Sequence, residues 1–110
     1  MSPKLSPSPH APQDLSAVDL VTVLHALADP VRLEIVRQLA TCGGPGELNC
    51  GKIEVPVTKS TASHHFKTLS AAGIIAEREE GTRKYFSLRR DELERRFPGL
   101  IDSVLKATSA

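Results

Sequence analysis

At Gly73 the apolar spacing of this chain changes from that of a helix to that of a strand, which restricts what can form on either side. Before it, Thr58–Gly73 reads T-K-S-T-A-S-H-H-F-K-T-L-S-A-A-G, with Ala62, Phe66 and Leu69 at i, i+4 and i+7, one stripe of a helix. The opposite arc carries Ser60, Ser63, His64 and Lys67, with no acid among them. Thr58 is placed as its N-cap and Gly73 as a left-handed C′ residue. After Gly73, Ile74–Glu79 and Arg83–Leu88 alternate with period 2 around Glu80-Gly81-Thr82, which predicts a two-strand hairpin.

An outer face made only of hydroxyl, imidazole and ammonium groups suits a major groove. It can donate to phosphates from the helix start and reach base edges with the first turns. Thr82, Arg83 and Lys84 at the hairpin tip are then placed to meet a phosphate backbone. Net charge is only +1, but it is unevenly spread. Residues 57–90 hold seven Lys/Arg against three Asp/Glu, whereas residues 1–56 hold four against six.

The rest of the 110-residue chain is enough for one core. Residues 1–13 hold four prolines and little to bury, so 1–14 read as a disordered tail and 15–108 as one domain. Ser16 is expected to cap a first helix with Leu20, Val21, Leu24 and Leu27 at helical spacing, broadened by Val18 and Val23. His25 is expected on that helix's surface. Asp29-Pro30 ends the first helix and starts a second, with Leu33, Ile35, Val36, Leu39 and Ala40 inside. Thr41–Leu48 is glycine-rich and reads as a loop. A short helix over about Asn49–Glu54, ended by Pro56, would complete a helix-turn-helix with Thr58–Gly73. A helix from about Arg90 or Asp91, broken at Pro98, resumes with Leu100, Ile101, Val104 and Leu105. The surplus apolar surface on the first and last helices predicts a homodimer through Val18, Val21, Leu24, Ile101, Val104 and Leu105. The fold class is mainly α with a small β-hairpin: a winged helix-turn-helix of five to six helices and a two-stranded wing. No spanning segment or secretory leader is legible, which points to the cytoplasm, with nucleoid association when DNA-bound.

The blocks L-A-D-P-V-R-L-E-I-V-R-Q-L-A, S-T-A-S-H-H-F-K-T-L-S-A-A-G-I-I and E-G-T-R-K-Y-F-S-L, in that order, resemble the ArsR/SmtB family of bacterial winged-helix repressors. The resemblance spans about residues 16–106. It implies a homodimer held by the first and last helices, binding an imperfect palindromic operator in double-stranded DNA, with an inducer that lowers affinity. It assigns DNA contact to Thr58, Lys59, Ser60, Thr61, Ser63, His64 and Lys67. Ser63 and His64 are the candidates for base edges, and His65 is expected in a structural or backbone-contacting role.

The chain departs from the family's metal sites. Where the best-known members read E-L-C-V-C-D-L, this chain has Glu47-Leu48-Asn49-Cys50-Gly51-Lys52-Ile53, with neither family cysteine in place. Residues 91–110 contain no His or Cys, so the second family site cannot be built either. No metal ligand set and no cofactor is therefore assigned. Cys42 and Cys50, eight residues apart, are either two inert thiols or a thiol redox switch across the Gly-Gly-Pro-Gly loop. An organic inducer, or none, remains open. The competing class is a winged-helix protein-interaction module without DNA binding, which Glu77, Glu79 and Glu80 near the wing favour. The exposed polar face disfavours it, because a protein interface wants an apolar anchor there. An enzyme is not expected: no nucleophile is paired with a base and an orienting acid.

Overall fold

The structure is a computed structural model and describes residues 15–41, 47–49 and 53–108, with backbone alone at Ser16 and 47–49. After a 3-10 turn at Leu15–Ala17 come α1 (Leu20–Leu27), α2 (Pro30–Thr41), β1 (Glu47–Asn49) and α3 (Lys59–Ala71). The wing strands β2 (Ile75–Glu80) and β3 (Arg83–Leu88) follow, then α4 (Arg90–Arg96) and α5 (Leu100–Thr108). The tail at 1–14, Cys42 and Cys50 all lie outside the described residues.

Three helix boundaries have visible chemical causes. Asp29 Oδ1 accepts the backbone N–H groups of Val31 (2.8 Å) and Arg32 (3.1 Å), so it caps α2 with Pro30 at the first helical position, as the sequence predicts. Thr58 Oγ1 accepts the Thr61 N–H at 3.3 Å and caps α3. At the other end of α3, Gly73 takes φ +78°. Its N–H reaches the Ser70 carbonyl at 3.0 Å while the Ile74 N–H reaches Leu69 at 3.0 Å, a Schellman closure.

The start of α1 differs from expectation. Its cap is Asp19, whose Oδ1 accepts the Thr22 N–H at 2.9 Å, and not Ser16. Arg96 braces the segment ahead of the cap, donating from Nε to the Leu15 carbonyl and from Nη2 to the Val18 carbonyl, both at 3.3 Å. Those carbonyls are the acceptors that a helix running on from Leu15 would have needed for Asp19 and Thr22.

The larger correction concerns the helix expected over Asn49–Glu54. Asn49 ends strand β1, and Ile53–Val55 carry no helix. The β-branched Ile53, Val55 and Val57 around Pro56 favour extended backbone. Gln38 on α2 holds that backbone: its Nε2 donates to the Glu54 carbonyl at 2.6 Å and its Oε1 accepts the Glu54 N–H at 3.0 Å. The helix that precedes α3 and packs behind it is therefore α2.

The sheet has three antiparallel strands, ordered β1-β3-β2, one more than the hairpin alone. β1 pairs with β3 through Leu48↔Phe86, and β2 with β3 from Ile75↔Leu88 to Glu80↔Arg83. Gly81 (φ +63°) and Thr82 form the two-residue turn. The core gathers Val23, Ile35, Val36, Leu69, Ile74, Ile75, Leu93 and Ile101 from α1, α2, α3, the link to the first wing strand, that strand and both C-terminal helices. Phe66 of α3 stacks on Phe86 of β3 with centroids 4.4 Å apart, which fixes helix against wing.

Two residues expected at a subunit surface are core residues of this chain instead. Val18 is 6% exposed and Ile101 1%, because the residue after the 3-10 turn and the inner side of α5 pack into the core. Val104 and Leu105 are partly buried against the same core. Val21 (72% exposed) and Leu24 (45%) do stand outward on α1, joined by Leu20.

Candidate nucleic-acid interface

Every residue of α3 and its cap singled out from the sequence for DNA contact is exposed: Thr58, Lys59, Ser60, Thr61, Ser63, His64 and Lys67. The buried arc of the same helix is His65, Phe66 and Leu69. This division follows from the spacing, since successive residues on a helix point about 100° apart. His64 and His65 show it directly, the first outside and the second only 8% exposed.

The start of α3 is a hydroxyl cluster. Thr58 Oγ1 lies 3.0 Å from Thr61 Oγ1 and 3.4 Å from Ser60 Oγ. No acid occupies the first turn, so the positive end of the helix dipole faces outward uncompensated by its own side chains. Thr68, further along, bonds back to the His64 carbonyl at 3.0 Å.

At the wing tip, Thr82, Arg83 and Lys84 are all exposed. Lys84 Nζ lies 3.6 Å from Glu77 and 4.0 Å from Glu79 across the hairpin, so its charge is partly matched within the wing. Arg78 lies over the Tyr85 ring at 4.6 Å and reaches Glu80 at 3.8 Å. Of the wing cations foreseen from the sequence, Arg83 at the turn is the better placed for a phosphate.

Sequence reasoning missed two arginines that hold this surface in place. Arg89, 8% exposed, makes a two-point ion pair with Glu92 (3.0 and 2.9 Å) beside the α3 C-cap, and the Arg89 guanidinium holds the Glu92 carboxyl below its ordinary pKa. Arg32 of α2 reaches His65 of α3, with Nη1 and Nδ1 3.1 Å apart. A period-based reading assigns charged residues to the outside by default, and neither arginine breaks the period. Among the described residues, no three His, Cys, Asp or Glu side chains come together to hold a metal ion. No helix among them is long and apolar enough to cross a membrane.

Comparison with known proteins agrees with this fold. Residues 27–78, from the end of α1 into β2, match the family model of a helix-turn-helix domain. The uncharacterized HTH-type transcriptional regulator YceK of Bacillus subtilis is 40% identical over 84 residues, 74% of this chain and 82% of that protein. The arsenical resistance operon repressor of Staphylococcus xylosus is 34% identical over 82 residues, 73% of this chain and 75% of the repressor. The chain belongs to the ArsR/SmtB family. It is a DNA-binding transcriptional regulator with a winged helix-turn-helix fold. Among solved structures, a fragment (1–100) of a "possible transcriptional regulatory protein" from Mycobacterium bovis superposes with a TM-score of 0.64 at 27% identity. The match covers 83% of this chain and 91% of that one.

Proposed function

We propose that the chain acts at the nucleoid as a homodimeric repressor that reads a palindromic operator through α3 and braces on phosphate with the wing. The observation that carries this reading is the division of α3. Its outer face is exposed and acid-free from Thr58 to Lys67, and its inner face is locked by His65, Phe66 and Leu69. Ser63 and His64 read base edges, while Lys59, Lys67 and Arg83 neutralise phosphates. The apolar Leu20, Val21 and Leu24, exposed on α1, supply the dimer contact together with Val104 and Leu105. A dimer sets two copies of α3 on successive major grooves, which is why the site should be palindromic.

Footprinting on DNA from upstream of the protein's own gene tests the reading. The wild-type protein should protect a two-fold symmetric site. Ser63→Ala and His64→Ala should relax the base preference at matching positions in both half-sites, each by about 1–3 kcal/mol. An unchanged sequence preference in both variants would remove α3 as the reading element.

A further inference from the structure

His65 is the titratable side chain in the buried arc of α3, and it is not used in the DNA contacts proposed above. Its Nδ1 lies 3.1 Å from Arg32 Nη1. The same guanidinium donates from Nε to the Ala26 carbonyl and from Nη2 to the His25 carbonyl (3.5 Å), both in the last turn of α1. Arg32 itself is anchored near the start of α2, where its backbone N–H bonds Asp29 Oδ1. One side chain of α2 therefore joins the end of α1 to the middle of α3.

We propose that Arg32 is the positioning residue of the recognition helix, setting the rotation of α3 about its own axis by fixing His65 against the α1 carbonyls. The inference rests on the reading that α3 contacts DNA. Packing by Leu69 is non-directional, and the Phe66 stack ties α3 to the wing rather than to α1 and α2. A guanidinium fork bonded at three points is directional. A rotation of about 20° carries a side-chain tip on a helix of this radius by about 2 Å, enough to break a hydrogen bond from Ser63 or His64 to a base edge. Arginine has no acceptor, so a hydrogen bond across this contact requires the lone pair on Nδ1 and the proton on Nε2. The acceptor on His65 is thus a requirement of the site, and a ring of the same shape without it cannot replace it.

The test uses the full chain, the upstream duplex and a scrambled duplex of equal length and composition. His65→Phe keeps a ring but removes the acceptor. His65→Asn restores an acceptor close to the Nδ1 position. Arg32→Lys keeps the charge as a single-point donor. His65→Phe and Arg32→Lys should lower the preference for the upstream duplex about tenfold, the scale of one charge-assisted hydrogen bond, while binding to the scrambled duplex changes little. His65→Asn should recover most of the loss. Nitrogen-15 spectra of the wild-type ring should show an unprotonated Nδ1 and a protonated Nε2 without DNA present. A His65→Phe protein with wild-type preference, or a ring protonated on Nδ1 at neutral pH, would overturn the assignment. Should the wild type prefer neither duplex, it is the DNA-reading role of α3 that fails, and the nitrogen spectrum still decides whether Arg32 holds His65.

Discussion

Glu34 shows how far a single surface carboxylate can be committed to the fold. It accepts from both ends of the Arg37 guanidinium and from Gln38 Nε2 at 2.8 Å. Arg37 first, and then Gln38, pull its pKa from 4.5 down to about 2. Because the folded value is depressed, the stabilisation is complete above the ordinary carboxylate range and is lost as the pH falls from 4.5 toward about 2. The gap in melting temperature between wild type and Glu34→Gln should therefore narrow as the pH is lowered through that window. A gap that stays constant would show that the pairing contributes nothing. Gly73 is constrained by backbone and space together. It takes φ +78°, and a Cβ there would stand 2.5 Å from Leu15 Cδ2. Gly73→Ala should cost about 1–3 kcal/mol in urea unfolding.

At the scale of elements, the wing depends on one aromatic stack. Phe86 sits between the Phe66 ring, 4.4 Å away, and the middle of the sheet, where it pairs with Leu48 and Glu77. Phe86→Ala should destabilise the chain by about 3–5 kcal/mol. Hydrogen exchange should then rise in β2 and β3 before it rises in α2. The elements legible in the sequence were those whose caps and period agree: α2 with Asp29-Pro30, α3 between Thr58 and Gly73, and the hairpin about Gly81. What could not be read depended on distant partners. Asn49–Glu54 looked helical in isolation, but Gln38 and β3 supply the hydrogen bonds that hold its ends extended. Ser16 looked like a cap until Arg96, some eighty residues on, takes the carbonyls of Leu15 and Val18. The same limit applied to the site. The outer face of α3 followed from its spacing, whereas Arg32 and Arg89 act through tertiary contacts that no local pattern records.

Across the whole molecule, the placement of charge matters more than its total, which is +1. Positive residues concentrate from α3 through the wing, and among these Lys67 and Arg83 are exposed on the proposed DNA-facing surface. Val18 and Ile101 fold inward, so the proposed subunit contact rests on Leu20, Val21 and Leu24 of α1 with Val104 and Leu105 of α5, and Val21→Glu should lower the dimer fraction in sedimentation at fixed concentration. Binding of wild type and a Lys67→Ala/Arg83→Ala double variant to the upstream duplex over a range of salt concentrations probes this placement of charge most directly. Each phosphate contact contributes about 0.9 to the slope of log affinity against log salt, so the double variant should bind more weakly with a slope shallower by about two per protomer. A double variant that keeps both the affinity and the slope of the wild type would contradict the claim that α3 and the wing face DNA.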